Sequence, residues 1–124
     1  MRADAWAVSR AVSLSRAFAV RTGLESVAAG HLALLVEEWV ANVVEHGGPQ
    51  DARIVLSLRL LAGVVRISVS DAGMAFDPRT AVFDMPNPDR GGGAGLALIA
   101  SLCRIAGYTR RAGRNRLVLE MPFP

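Results

Sequence analysis

The chain has 124 residues, a hydrophobic share of 52% and a net charge of +3; that length suits a single domain over 1–124, able to bury about two-thirds of its unfolded surface without a disulfide or metal staple. All fourteen positive charges are arginine, which excludes a Walker-type P-loop and Schiff-base chemistry, since both need a lysine. One cysteine and two histidines leave too few ligands for a structural zinc site and suit a reducing cytoplasm, and arginines scattered without interleaved aromatics do not read as a nucleic-acid interface.

Residues 5–21 read as an amphipathic helix with Val8, Val12, Ser15 and Ala19 on one stripe, broken by Gly23. Asp4 and the lack of a cleavage pattern argue against a transit peptide here. Residues 25–46 predict a longer helix with Ser26 as its cap; Leu32, Leu35, Val36, Trp39, Val40 and Val43 form its apolar face, and Gly47, Gly48 and Pro49 end it. No uninterrupted run of about 18 apolar residues occurs, so no membrane span is expected. The period then changes. "ARIVLSLRLL" and "VVRISVSDAG" alternate and are β-branched, which predicts a hairpin turning at Ala62-Gly63.

Residues 77–94, rich in proline, glycine and aspartate, read as a long loop. "GLALIASLCRIAG", residues 95–107, predicts a third helix, with Cys103 as a small core residue inside it. "YTRRAG" and "RNRLVLEMPF" predict a closing hairpin turning near Gly113, with Arg110, Arg111, Arg114 and Arg116 facing solvent around the turn. The expected fold is α+β: an antiparallel or mixed sheet covered on one face by three helices, a two-layer sandwich.

Three constellations bear on chemistry. Glu38, Asn42 and His46 are four residues apart, so they share one helix stripe, with Glu45 close by. Asparagine is a poor mid-helix residue. Its amide oxygen suits Mg²⁺, which takes hard oxygen ligands from few protein groups plus phosphates, and a carboxylate one turn away can accept a proton. A solvated polar face, with His46 favoured by the helix dipole, would leave the same pattern. "DAGMAFDP" ends a strand: Asp71 is a pure acceptor, suited to an exocyclic amine, and Gly73 lets a ligand approach the backbone. A strand-ending Asx turn is the plainer reading there, and Asp77 before Pro78 is a turn residue. "GGGAGLALI" opens a helix on glycines, where free N–H groups and the helix dipole bind phosphate without a lysine; a flexible hinge would look the same.

The order of these stretches, E-x-x-x-N-x-x-x-H-G on a helix, D-x-G-x-x-F-D-P after a strand and then G-x-G-L opening a helix, resembles the GHKL ATPase superfamily with its N box and two glycine boxes. The short stretch from Pro78 to Gly91 looks most like the anti-sigma-factor serine kinases, over about Ser9 to Phe123. The resemblance implies ATP and Mg²⁺ as cofactors. It implies Asn42 as the metal ligand, Glu38 as general base toward a serine or threonine hydroxyl, and Asp71 on the adenine amine with Gly73 beside it. His46 joins the nucleotide-binding set, and Gly91, Gly93, Gly95 and Leu96 form the hinge over the phosphates. Arg90 is placed to meet the phosphates.

As function, the resemblance implies a cytoplasmic bacterial ATP-dependent serine/threonine-protein kinase acting in transcription regulation. It phosphorylates a STAS-domain anti-sigma antagonist and can sequester a sigma factor; homodimers occur among such proteins, and neither nucleic acid nor membrane is a direct partner. A nucleotide-responsive binding module without phosphate transfer is the alternative. The ATP-binding half of a histidine kinase is disfavoured, because His31 and His46 do not lie on an upstream helix pair. Two departures stand out: no strand precedes the first helix, and Asn115 in "GRNRLVL" stands where relatives place a threonine near adenine.

Overall fold

In the computed structural model, which describes residues 1–46, 53–81, 97 and 99–123, both N-terminal helices form where the apolar period places them. Helix α1 spans Ala7–Thr22 and buries Ala7, Ala11, Ser15, Phe18 and Ala19. The buried stripe is thus rotated from the one expected: Ser15 and Ala19 lie on it, while Val8 and Val12 are only half-buried at its flank. Small side chains at Ala7 and Ala11 permit close approach to the neighbouring helix. The helix ends in a Schellman motif, with Leu24 N–H on the Ala19 carbonyl, Gly23 N–H on that of Val20, and Gly23 at φ 70°.

Helix α2 spans Ser26–His46. Its first turn is capped by Glu25, whose Oε1 accepts from Ala28 N–H at 2.8 Å, and not by Ser26, which is already inside the helix. All six residues of its expected apolar face are buried. Although its apolar residues are interrupted by polar ones, Ser26–Glu45 is long and apolar enough by length and composition to cross a membrane, and half of that window is buried inside the fold.

The sheet contains β1 (Val55–Leu61), β2 (Val64–Asp71), β3 (Arg104–Arg111) and β4 (Arg114–Pro122), with the four-residue helix α3 (Pro78–Ala81) between β2 and β3. The strand order is β1-β2-β4-β3 and every pairing is antiparallel. The turns fall where expected, at Ala62-Gly63 and at Ala112-Gly113, with positive φ at Gly63, Ala112 and Gly113. Alternation directs Val65, Ile67, Val69 and Asp71 of β2, and Asn115, Leu117, Leu119 and Met121 of β4, toward the helices. Ile54 and Ile99 complete this layer. The result is the expected α+β two-layer arrangement.

Two local expectations differ. The helix read over 95–107 is shorter: residues 97 and 99–102 are helical, and β3 already begins at Arg104. Cys103 is therefore at the helix exit, its N–H and thiol both on the Ile99 carbonyl. An apolar run satisfies both periods; pairing of Arg104 with Glu120 and Ile105 with Leu119 decides for strand. Ahead of α1 the chain makes an isolated Arg2–Arg53 bridge, with the Met1 and Ile54 backbones bonded both ways at 2.7 Å.

Leu119 is fully buried at the sheet centre. Leu119→Ala is expected to destabilise the fold by about 2–5 kcal/mol, read as a lowered denaturant midpoint at constant slope.

Candidate functional site

The inner face of the sheet is apolar until its last row, where the register sets Asp71 at the end of β2 against Asn115 at the start of β4. Both are buried, at 6% and 4% exposure. A buried carboxylate and amide need partners, and these two largely serve each other. Asp71 Oδ1 accepts from Gly73 N–H at 2.9 Å and from Asn115 Nδ2 at 3.1 Å. Asn115 Nδ2 also donates to the Met74 carbonyl at 2.8 Å. Its Oδ1 accepts from Arg110 Nη1 at 2.9 Å and from the Tyr108 hydroxyl. Arg110 Nη1 reaches the Gly73 carbonyl as well, at 2.9 Å, and Phe76 N–H donates to the Tyr108 hydroxyl at 3.2 Å. The network fixes which way the Asn115 amide points. It occupies one oxygen of Asp71, while Oδ2 has no hydrogen bond from the described residues.

Helix α2 supplies the opposite wall. Asn42 is buried at 6% exposure, and its Nδ2 has no hydrogen-bond partner among the described residues; Trp39 Nε1, one turn earlier, is likewise buried without one among them. Native folds rarely leave two such donors unmet within one turn, and each costs about 1–3 kcal/mol of desolvation. The Trp39 ring packs on Phe76, centroids 5.8 Å apart at 30°. Trp39, Asn42, Asp71, Met74, Phe76 and Asn115 line a small cavity of about 20 Å³, room for about one water-sized group.

The structure thus brings Asn42 to the same cavity as Asp71, far from it in sequence, with Gly73 hydrogen-bonded to Asp71. Glu38 lies one helical turn before Asn42, half-buried, and is not in the cavity lining. His46 ends α2; its side chain, and Arg90, Gly91, Gly93, Gly95 and Leu96, lie outside the described residues. Asp77 is the turn residue expected of it: it accepts from Arg79 N–H at 3.0 Å at the start of α3 and pairs with the Arg79 guanidinium, which holds its carboxyl below the usual carboxylate range. Among the described residues, no group of three or more His, Cys, Asp and Glu side chains is placed to hold a metal. A wider groove of about 540 Å³ between α1 and β1 is lined by Ser9, Ser13, Leu14, Leu56 and their neighbours. It contains no carboxylate or side-chain amide that would select a base or a metal.

Tyr108 and Arg110 were not expected in the site. Arg110 is exposed, as read, but it sits opposite Asn115 and its guanidinium reaches in to that side chain. The register shift between Ile105 and Gly107 resets the alternation of β3, so no count from the sequence gives the right face. Trp39 and Met74 carry no signal beyond apolarity, whereas Phe76 belongs to the D-x-G-x-x-F-D-P stretch.

Burial raises the Cys103 thiol from 9.0 to about 11. Its thiolate population below pH 9 is expected to be about a hundredfold under that of an ordinary cysteine. Iodoacetamide should therefore alkylate it slowly in the folded chain and rapidly in denaturant, as mass spectrometry would read. The sign for stability follows: the thiol favours the fold below pH 9, and that contribution is lost as pH rises through about 11.

Comparison with known proteins adds to this geometry. The family model for the histidine kinase-like ATPase domain matches residues 1–121. No curated protein matches the chain. Among solved structures, the histidine kinase domain of the blue-light activated histidine kinase of Erythrobacter litoralis is similar at a TM-score of 0.55 and 21% identity, over 77% of this chain and 44% of that one. The mycobacterial sensor histidine kinase MprB is similar at 0.54 and 19%, over 76% and 71%. The catalytic domain of histidine kinase ThkA is similar at 0.56 and 16%, over 76% and 67%. The matched region is only 44%, 30% and 46% of the first three kinase chains. At these identities the likeness speaks to the fold.

Proposed function

The chain belongs to the family of histidine kinase-like ATPase domains, and on that premise we propose that the small cavity between α2 and the β2–β4 sheet end takes the exocyclic amine edge of the adenine of ATP, with the rest of the ring at its mouth. The observation that carries this reading is the pair of unmet polar groups facing one cavity: Asn42 Nδ2, buried without a partner, and Asp71, with one oxygen engaged and the other open. Asp71 Oδ2 accepts from the exocyclic amine of the base. Trp39 and Phe76 wall the ring, and Asn115, Tyr108 and Arg110 hold the carboxylate in place. The Asn42 amide oxygen suits Mg²⁺ as its single protein ligand here, because Mg²⁺ takes the rest of its shell from phosphates and water. Arg90, Gly91, Gly93, Gly95 and Leu96 are assigned to the phosphate side by motif order, and His46 to the edge of the same site. Bound Mg²⁺-ATP supplies the transferable phosphoryl group.

For the finer activity we propose a serine/threonine-protein kinase of the anti-sigma-factor type in a bacterial cytoplasm. Glu38 is the base that takes the proton of the substrate hydroxyl. The substrate we assign is a STAS-domain antagonist, with a sigma factor as a second partner and a homodimer as the working form; motif order supports this part. The second reading, a nucleotide-responsive module without transfer, draws on the place of Glu38 outside the cavity lining.

Calorimetric titration with ATP and ADP, with and without Mg²⁺, tests the pocket; no binding at millimolar nucleotide would overturn it. For the activity, Glu38→Gln is expected to leave ATP affinity within about twofold while phosphoryl transfer falls by about 10²–10⁴, measured with labelled ATP and a STAS-domain protein. Regulatory output that survives unchanged in this variant would favour the binding module.

A further inference from the structure

Strand alternation that sends one face of the sheet to the helices leaves the other face open. The register lines up Arg59, Arg66, Glu120 and Arg104 in one row across all four strands. Farther along, Arg116 stands between Ser70 and Thr109, and Arg114 stands opposite Arg111. Six arginines therefore share a face with one carboxylate among the described residues.

Glu120 is already engaged. It takes Arg66 at 2.8 Å and also pairs with Arg104, and those two cations hold its carboxyl below the usual range. Among the described residues the other four have no carboxylate partner. Arg114 rests on Ser70 Oγ at 3.1 Å and the Arg53 carbonyl at 3.2 Å, Arg116 on Ser68 Oγ at 3.3 Å; Arg59 and Arg111 are exposed.

This arrangement works against the fold. Like charges directly across a strand pair are destabilising, and here they occur twice, at Arg59–Arg66 and Arg111–Arg114. Charged side chains protect sheet edges from aggregation, but Arg66, Arg114 and Arg116 are on β2 and β4, the two interior strands. Relief by an anion explains them better.

We propose that this open face is a docking surface for an acidic protein surface. Guanidinium forks match carboxylates two bonds at a time. No aromatic side chain lies on these rows to stack a nucleic-acid base, and a flat sheet face presents nothing to enter a duplex groove. Four strands at about 4.8 Å spacing and about eight residues long give a patch of roughly 15 by 25 Å. That is about half of one side of a standard interface, so the docking is weak and transient. It is independent of the nucleotide pocket on the opposite face.

The test uses the full chain and a fluorescein-labelled decaglutamate peptide, followed by anisotropy at low and at physiological salt. Binding is expected at low salt and is expected to weaken as salt rises. The double variant Arg59→Glu/Arg116→Glu should weaken it by about tenfold or more, and Arg59→Gln/Arg116→Gln by less, while the control Arg16→Glu/Arg21→Glu on α1 stays within about twofold. The glutamine pair changes charge without reversing it, so it reads the surface even where the glutamate pair fails to melt cooperatively. Absence of peptide binding, an equal loss in the α1 control, or tighter binding to a single-stranded DNA decamer or to phosphatidylserine vesicles than to the peptide would overturn the proposal.

Discussion

Asn42→Ala is expected to weaken magnesium-dependent nucleotide binding while leaving the melting temperature unchanged or raised. The two halves of this expectation have different causes. An asparagine held in mid-helix for structural reasons has its amide bonded, and its loss destabilises. Asn42 is buried with Nδ2 unmet, so its removal relieves a desolvation penalty of about 1–3 kcal/mol. Alanine is also the better helix former, by about half a kcal/mol. A small void beside the pocket offsets part of this gain. On the ligand side, a contact to a charged group contributes about 1.5–3 kcal/mol, so affinity for Mg²⁺-ATP should fall by about 10- to 100-fold. Titration without Mg²⁺ should show a far smaller difference between variant and parent. Calorimetry and a thermal melt on one preparation decide the matter: a melting temperature several degrees lower, with binding intact, would make Asn42 a packing residue and remove the observation on which the pocket rests.

Asp71→Asn should shift the base preference. Its side chain keeps the shape of aspartate, and its Oδ1 can still accept from Gly73 N–H and Asn115 Nδ2, the two bonds that Asp71 makes now. What changes is the open position, where an acceptor becomes an NH₂ donor. An exocyclic amine then meets a donor, and a carbonyl meets its complement. ATP affinity should fall by about 10- to 100-fold, the range for losing a hydrogen bond to a charged group, and the ratio of ATP to GTP affinity should shrink or invert. Competition of both nucleotides against a fluorescent analogue measures that ratio directly. An unchanged ratio would mean that Asp71 does not read the base. Asp71→Ala is a different experiment: it removes the acceptor of the Gly73 N–H and one of the acceptors of Asn115 Nδ2 in a buried place and should lower stability by about 1–3 kcal/mol, so a binding loss in that variant alone would prove little.

Much of this molecule was legible in its sequence. Helices α1 and α2 begin and end within two residues of where the apolar period and Gly23 place them, because a helix is specified by neighbours three and four residues away. Both hairpins turn at their expected glycines. The polar stripe of α2 was legible for a similar reason: Glu38, Asn42 and His46 at four-residue spacing share a helix face whatever else the chain does, and of the three Asn42 lines the cavity. What failed did so at positions where the period is ambiguous or reset. The run before Arg104 suits a helix as well as a strand, and only pairing with β4 ends the helix there. The bulge between Ile105 and Gly107 moves Tyr108 and Arg110 to the inner face, where they brace Asn115.

The sequence by itself determined the two N-terminal helices and the polar stripe along the second of them, since each depends on contacts within a few residues. Only the tertiary structure decided that Asp71 and Asn115 form one hydrogen-bonded pair across β2 and β4, that Asn42 faces them, and that arginines scattered from 59 to 116 gather on one open face. Those outcomes depend on strand register. In a sheet the side-chain period is two, so a slip of a single residue moves every side chain to the opposite face, and the pattern along one strand does not specify its partner.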